Sequence, residues 1–177
     1  MSSSGADNEV ILRGNIDWHI QLIAIQVSHA EKVQGRARSG YYKLAVLLIA
    51  SIVEAVVHAL LVRKLGTDGV IETEDYETYE CLSLPEGFSL KGEVAICKKR
   101  KKIFQLKKNP DFAVLNNACV RERLLSLKLF NEVESIRKVR NKIHMQGLDH
   151  IDRSYTKSSV ERFSEVMDNL LILYDRA

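Results

Sequence analysis

The sequence predicts an all-α domain, a bundle of four to five helices interrupted by one small β-hairpin or irregular insertion. Three observations carry that expectation. Apolar residues recur at intervals of three and four toward both ends of the chain, residues 44–62 form an almost unbroken apolar run, and the helical period is lost only between Gly66 and Pro110.

Residues 1–15 begin with the polar MSSSGADNEV and read as a flexible tail, with no basic stretch leading into an apolar core as a secretory signal would have. The first helix is expected over residues 16–33, where Ile16, Ile20, Ile23, Ala24 and Val27 fall on one face. GRARSG then reads as a basic break bracketed by Gly35 and Gly40. A long apolar helix over residues 41–65 follows, and Gly66 with Asp68 and Gly69 provides a stop. The segment of about 67–109 is the insertion: the short runs VAIC and IFQL have strand character and KKRKK separates them.

Helical pattern resumes after Asn109-Pro110, which resembles a helix entry with proline in the first turn, where its missing N–H costs nothing. A short helix is expected over residues 111–119. A longer one starts near Arg121 or Leu129 and runs to the region of His144, with Gly147 as its stop. The last helix is announced by Ser158 and Glu161 at capping-box spacing, and Val160, Phe163, Val166, Met167, Leu170, Leu171 and Tyr174 share a face behind it. Residues 16–177 are thus expected to form a single domain, consistent with 177 residues that are 46% hydrophobic.

A formal net charge of +3 is too small to demand a polyanionic partner, so local charge has to carry any such argument. Cys81, Cys97 and Cys119 are widely spaced and odd in number, which suggests neither a disulfide framework nor a zinc site and suits a cytoplasmic chain. His19, His29 and His150 show no metal-ligand spacing, and no Gly-rich phosphate loop or nucleophile elbow is present, so no metal or cofactor is expected. Residues 44–62 approach the length of a membrane span, but Glu54 and His58 interrupt them at a cost of several kcal/mol in lipid. A helix covered by other helices, with no membrane, is the favoured reading.

The chemistry-bearing stretch is ESIRKVRNKIHMQG. At about 100° per residue and with Arg137 at zero, Arg140 falls near 300°, Asn141 near 40° and His144 near 340°, while the apolar set from Leu129 to Ile143 lies at about 200–320°. The polar stripe therefore flanks the packing face, whereas a merely solvated face points away from it. Cations near a helix C-terminus also meet the helix dipole favourably, and that structural reading stands beside the functional one.

The pattern RKVRNKIH, after a helix of the type SIVEAVVHALL and before a final helix, resembles the HEPN superfamily of all-α domains. The signature of that family is an arginine separated from a histidine by four to six residues, often with a polar residue straight after the arginine. Arg137 and His144 have the spacing, with six residues between them, while Arg140-Asn141 has the pairing but leaves only three residues between Arg140 and His144. The resemblance covers residues 41–65 and 111–174 and leaves the insertion and first helix unmatched. It implies a metal-independent endoribonuclease, as in toxin and antiviral defence members, working as a homodimer with two motifs across a cleft and in some cases held by an antitoxin or inhibitor. Other members are non-catalytic dimerisation, nucleotide-binding or RNA-binding modules.

The residues suit such chemistry independently. Cleavage of RNA by its own 2′-OH needs a base, an acid and fixed positive charge. Histidine serves as either base or acid, and a symmetric dimer supplies two. Arg137 or Arg140 would hold the phosphate and Asn141 would orient the imidazole or phosphate. Glu54 needs a partner if buried, and the candidates are Arg137, Arg140, His58, Lys64 and solvent. The run Lys98, Lys99, Arg100, Lys101 and Lys102, with Lys91, Lys107, Lys108 and Phe104 nearby, reads either as an RNA-backbone contact or as a solvated turn.

Overall fold

A computed structural model describes residues 3–82, 94–145 and 155–177, with side chains described at 7–75, 97–142 and 155–177. In order they form α1 (Ser3–Lys32), α2 (Gly35–Leu65), β1 (Val70–Leu82), β2 (Val94–Gln105), a 3₁₀ turn (Leu106–Lys108), α3 (Phe112–Arg121), α4 (Leu127–Met145) and α5 (Lys157–Arg176). Among the described residues the architecture is five helices and one two-stranded antiparallel hairpin, as the sequence led us to expect.

The bundle is organised around α2, which packs against all four other helices. Its sequence explains this position. Ala45, Val46, Ile49, Ala50, Ile52, Val53, Val56, Val57, Leu60 and Leu61 are buried over more than one face, so no single neighbour can cover them. The helix is long and apolar enough to cross a membrane, and just over half of its most apolar window is covered by the rest of the chain. Glycine ends it: Gly66 adopts φ 83° and donates its N–H to the Val62 carbonyl at 2.8 Å.

Two expectations about the N-terminal half are corrected. The polar N-terminus is not a flexible tail beyond Ser3, because α1 begins there and Glu9, Leu12 and Arg13 are engaged with the bundle. GRARSG is not a break either. The reversal takes only Val33 and Gln34, with Gly35 at φ 61°, and the remainder is the first turn of α2. α5 runs antiparallel to α1 and is pinned at both ends, by Lys157 to Glu31 at 2.7 Å and by Arg13 to Asp175 at 2.9 Å. Its cap is Thr156, not Ser158: the Thr156 hydroxyl accepts the Ser159 N–H at 3.3 Å. Val160, Phe163, Val166, Met167, Leu170 and Tyr174 are buried as their spacing requires.

Pro110 stands ahead of the helix-capping Asp111 and not within the first turn of α3. α4 starts at Leu127, where the Ser126 hydroxyl accepts the Leu129 N–H at 3.2 Å. Val133 and Ile136 are fully buried, and Gly147 lies outside the described residues. The insertion is an antiparallel hairpin within the expected segment, with Val70 opposite Gln105 and Leu82 opposite Val94. KKRKK is not a turn between two strands. It is the middle of the single strand β2, facing the acidic β1 across the ladder.

Candidate functional site

Helix α4 presents its polar stripe to two different neighbours. Arg137 forks onto Glu134 one turn earlier, with Nε 2.8 Å from one carboxylate oxygen and Nη2 2.5 Å from the other. The buried Asn116 of α3 lies behind this pair, its amide donating to the Phe130 carbonyl at 3.4 Å and to Glu134 at 3.5 Å. The guanidinium holds the Glu134 carboxyl below the ordinary carboxylate range, opposed by burial and assisted by Asn116, and Arg137 is raised in return.

Arg140 points the other way, to α2. Its Nη2 is 3.0 Å from Glu54 Oε2, and both side chains are about two-thirds covered. Of the partners considered for Glu54, Arg140 is the one the fold brings to it. His58 shares the Glu54 face but makes a separate bond, its Nε2–H donating to the Leu106 carbonyl at 3.1 Å and so fastening the root of the hairpin to α2. Asn141 is half-buried beside Arg140. His144 belongs to α4 one turn beyond Arg140, and its side chain lies outside the described residues.

A cleft of about 640 Å³ is walled by Glu54, His58 and Ala55 of α2, Leu12 of α1, Pro110 and Leu115, and among the described residues Glu54 lines it while no residue of α4 does. Its far end is closed by Arg63, whose guanidinium lies 3.7 Å from the centre of the Tyr174 ring, donates to the Tyr174 carbonyl at 2.5 Å and meets Glu9 at 2.6 Å. These contacts lock α1, α2 and α5 together. They escaped the sequence because no local spacing links Glu9, Arg63 and Tyr174, whereas the Glu134–Arg137 pair, also missed, had a local signal in its spacing of three on one helix.

The basic run is not an open basic surface. Lys99 pairs with Glu74 at 2.6 Å, Lys101 with Glu72 at 3.2 Å and Lys102 with Asp75, each diagonally across the strands. Lys98 and Arg100 stand opposite Glu77 and Asp75 in the ladder. β1 carries five acidic residues and β2 five basic ones, so the two strands together are uncharged. Lys107 meets Asp68 at 3.1 Å, while Lys91 lies outside the described residues.

Comparison with protein-family models, curated proteins and solved structures finds no match to this chain.

Proposed function

We propose that the chain is a HEPN-like endoribonuclease that cleaves RNA without a metal at a dimer cleft lined by α4, acting as a toxin or defence effector. The observation that carries this reading is Arg140: half-buried, braced by Glu54 from the neighbouring helix, and one turn from His144 on the same stripe. A residue four positions away on a helix rises by about 6 Å, within the reach of one phosphate group held between a guanidinium and an imidazole, whereas Arg137 is about 10.5 Å along the axis from His144. Arg140 is therefore assigned to the phosphate, with Asn141 beside it, and Arg137 to holding α4 against α3 through Glu134 and Asn116.

In the reaction one imidazole removes the 2′-OH proton and the 2′-oxygen attacks phosphorus. The 5′-oxygen departs with a proton from the partner subunit's imidazole, leaving a 2′,3′-cyclic phosphate. Arg140 stabilises the extra negative charge on the phosphorane. Glu54 keeps that guanidinium in place when RNA is absent.

A second reading, a non-catalytic nucleotide- or RNA-binding or dimerisation module, draws on one observation. Both arginines already meet carboxylates, so a phosphate must compete with Glu134 or Glu54. RNA incubation in EDTA separates the readings. Wild type is expected to cleave, His144→Ala and Arg140→Ala to lose cleavage, and Arg137→Lys to retain most of it. Full cleavage by His144→Ala would sink the site assignment, and RNA binding without any cleavage by wild type would favour the module.

A further inference from the structure

Helix α1 has two apolar faces, and the bundle uses only one. Leu12, Ile16, Ile23, Val27 and Ala30 pack against the core. On the opposite side Ile11, Trp18 and Ile25 are 61%, 56% and 44% exposed, spaced by seven residues and therefore nearly in line along the helix. Gly14, Asn15, Gln21 and Leu22 fill the strip between them, and no charged side chain falls within it. An uncharged strip that carries two isoleucines and the chain's single tryptophan is an unusual surface for a helix to leave uncovered.

The strip reads nearly the same in both directions from Trp18. Ile11 and Ile25 are equidistant from it, as are Asn15 and Gln21, and as are Gly14 and Leu22. Two copies laid antiparallel with Trp18 at a two-fold axis would set isoleucine on isoleucine, amide on amide, and the Leu22 side chain over the bare backbone of Gly14, a large residue facing a small one. Gly14 has no explanation inside the chain: it lies mid-helix without positive φ, and a Cβ there would meet nothing within 4 Å. A glycine in a helix interior is costly relative to alanine, and close approach by a second backbone is the use that offsets it.

Charge selects the antiparallel direction. Asp7 lies at one end of the same strip and Lys32 at the other, with His29 beside Lys32; all three are exposed, and the His29 ring also meets Tyr41 of α2 edge-on at 5.4 Å. Antiparallel pairing brings Asp7 of one copy to His29 and Lys32 of the other, whereas parallel pairing sets like charges together.

We propose that α1 is a homodimerisation helix whose outer strip pairs antiparallel with a second copy of this chain about a two-fold axis at Trp18. The strip faces away from α2 and is separate from the α4 stripe, so this pairing does not rest on the ribonuclease reading.

The test is the mass of the full chain by sedimentation over a wide concentration range, with Trp18 emission followed in parallel. Wild type is expected to self-associate through α1, to a dimer where α1 alone pairs and to larger species where α4 also pairs, with a concentration-dependent blue shift. Ile11→Glu and Gly14→Leu, both at open positions in the monomer, are expected to weaken dimerisation at least 100-fold with the helical circular dichroism unchanged. Asp7→Lys is expected to weaken it and Lys32→Asp in the same chain to restore it. A wild type that stays monomeric throughout overturns the proposal, as does a blue shift that appears only on added lipid vesicles. So does a dimer that survives Ile11→Glu but is lost on Asn141→Glu, which would place self-association at α4. Cleavage by these preparations reports separately on the α4 reading.

Discussion

Two regions of this molecule set carboxylates against cations, and they differ in burial. On the hairpin, Lys99–Glu74 and Lys101–Glu72 are more than half exposed, lie across a ladder of unlike charge and leave the two strands neutral. Between α2 and α4, Glu54 and Arg140 sit about two-thirds covered, and Glu54 also lines a cleft. Exposed pairs are screened by water and are worth little, while partly buried ones position their groups and leave a cost when a partner is removed. The region densest in positive charge is therefore the poorer candidate for chemistry.

The largest effect should come at α4. His144→Ala is expected to reduce RNA cleavage at least about 100-fold, the usual minimum contribution of a general acid or base, with thermal unfolding unchanged. Unfolding followed by circular dichroism checks that the loss is chemical.

The two regions also differ in thiol chemistry. Cys97 on β2 is exposed, whereas Cys119 of α3 is buried, donates to the Val57 carbonyl at 3.6 Å and has its pKa pushed up to about 12 by burial and then by Glu122. At neutral pH an alkylating reagent is expected to label Cys97 while Cys119 reacts only on unfolding, as peptide-resolved mass spectrometry would show. The sign with pH follows. A raised folded pKa means that the Cys119 contribution to stability is complete below the ordinary thiol pKa of 9.0 and is lost as pH rises from there toward about 12.

Glu134 behaves oppositely. Its folded pKa is lowered, chiefly by Arg137, so its contribution is complete above its ordinary value of 4.5 and is lost as pH falls through the lowered one. Acid titration of unfolding in wild type and Glu134→Gln should converge below that range. Continued divergence there would assign the pair no linkage.

The direct contrast is Glu54→Gln against Glu74→Gln. The first is expected to destabilise by about 1–2 kcal/mol because it leaves a half-buried guanidinium without its counter-charge, the second by about 0.5 kcal/mol or less. Equal denaturation midpoints would remove the distinction. Smallest of all, replacing Lys98, Lys99, Arg100, Lys101 and Lys102 by glutamine together with Glu72, Glu74, Asp75, Glu77 and Glu80, which leaves the strands uncharged as before, is expected to change RNA cleavage by less than about threefold, since the balanced pairs contribute little long-range attraction.

Helical periodicity made most of the bundle legible from sequence, because apolar residues at threes and fours have to find a core. It located the end of α2, though not its first six residues, and α4 and the buried face of α5 within a few residues. The start of α1 was hidden because Ser, Gly and Asp look like a tail, and the contacts that order the following turns, from Glu9 to Arg63 and from Arg13 to Asp175, join residues far apart in sequence. KKRKK resembled a solvated turn because its compensating carboxylates lie far back in sequence, 29 residues for Lys101 and Glu72 and 27 for Lys102 and Asp75, a distance that sequence proximity does not reveal. At the candidate site the stripe itself was readable from helix geometry. Which arginine meets Glu54 was not, because Arg137 and Arg140 differ by only about 60° around α4, and packing alone turns one to α3 and the other to α2.

The central claim concerns the nucleophile and is tested most directly by end-group analysis of the products from an RNA that carries a single 2′-deoxy position at the mapped cleavage site. The account expects 2′,3′-cyclic phosphate and 5′-hydroxyl ends from the all-ribose substrate and no cleavage at the deoxy position. Equal cleavage of both substrates, or 3′-hydroxyl ends, would contradict it.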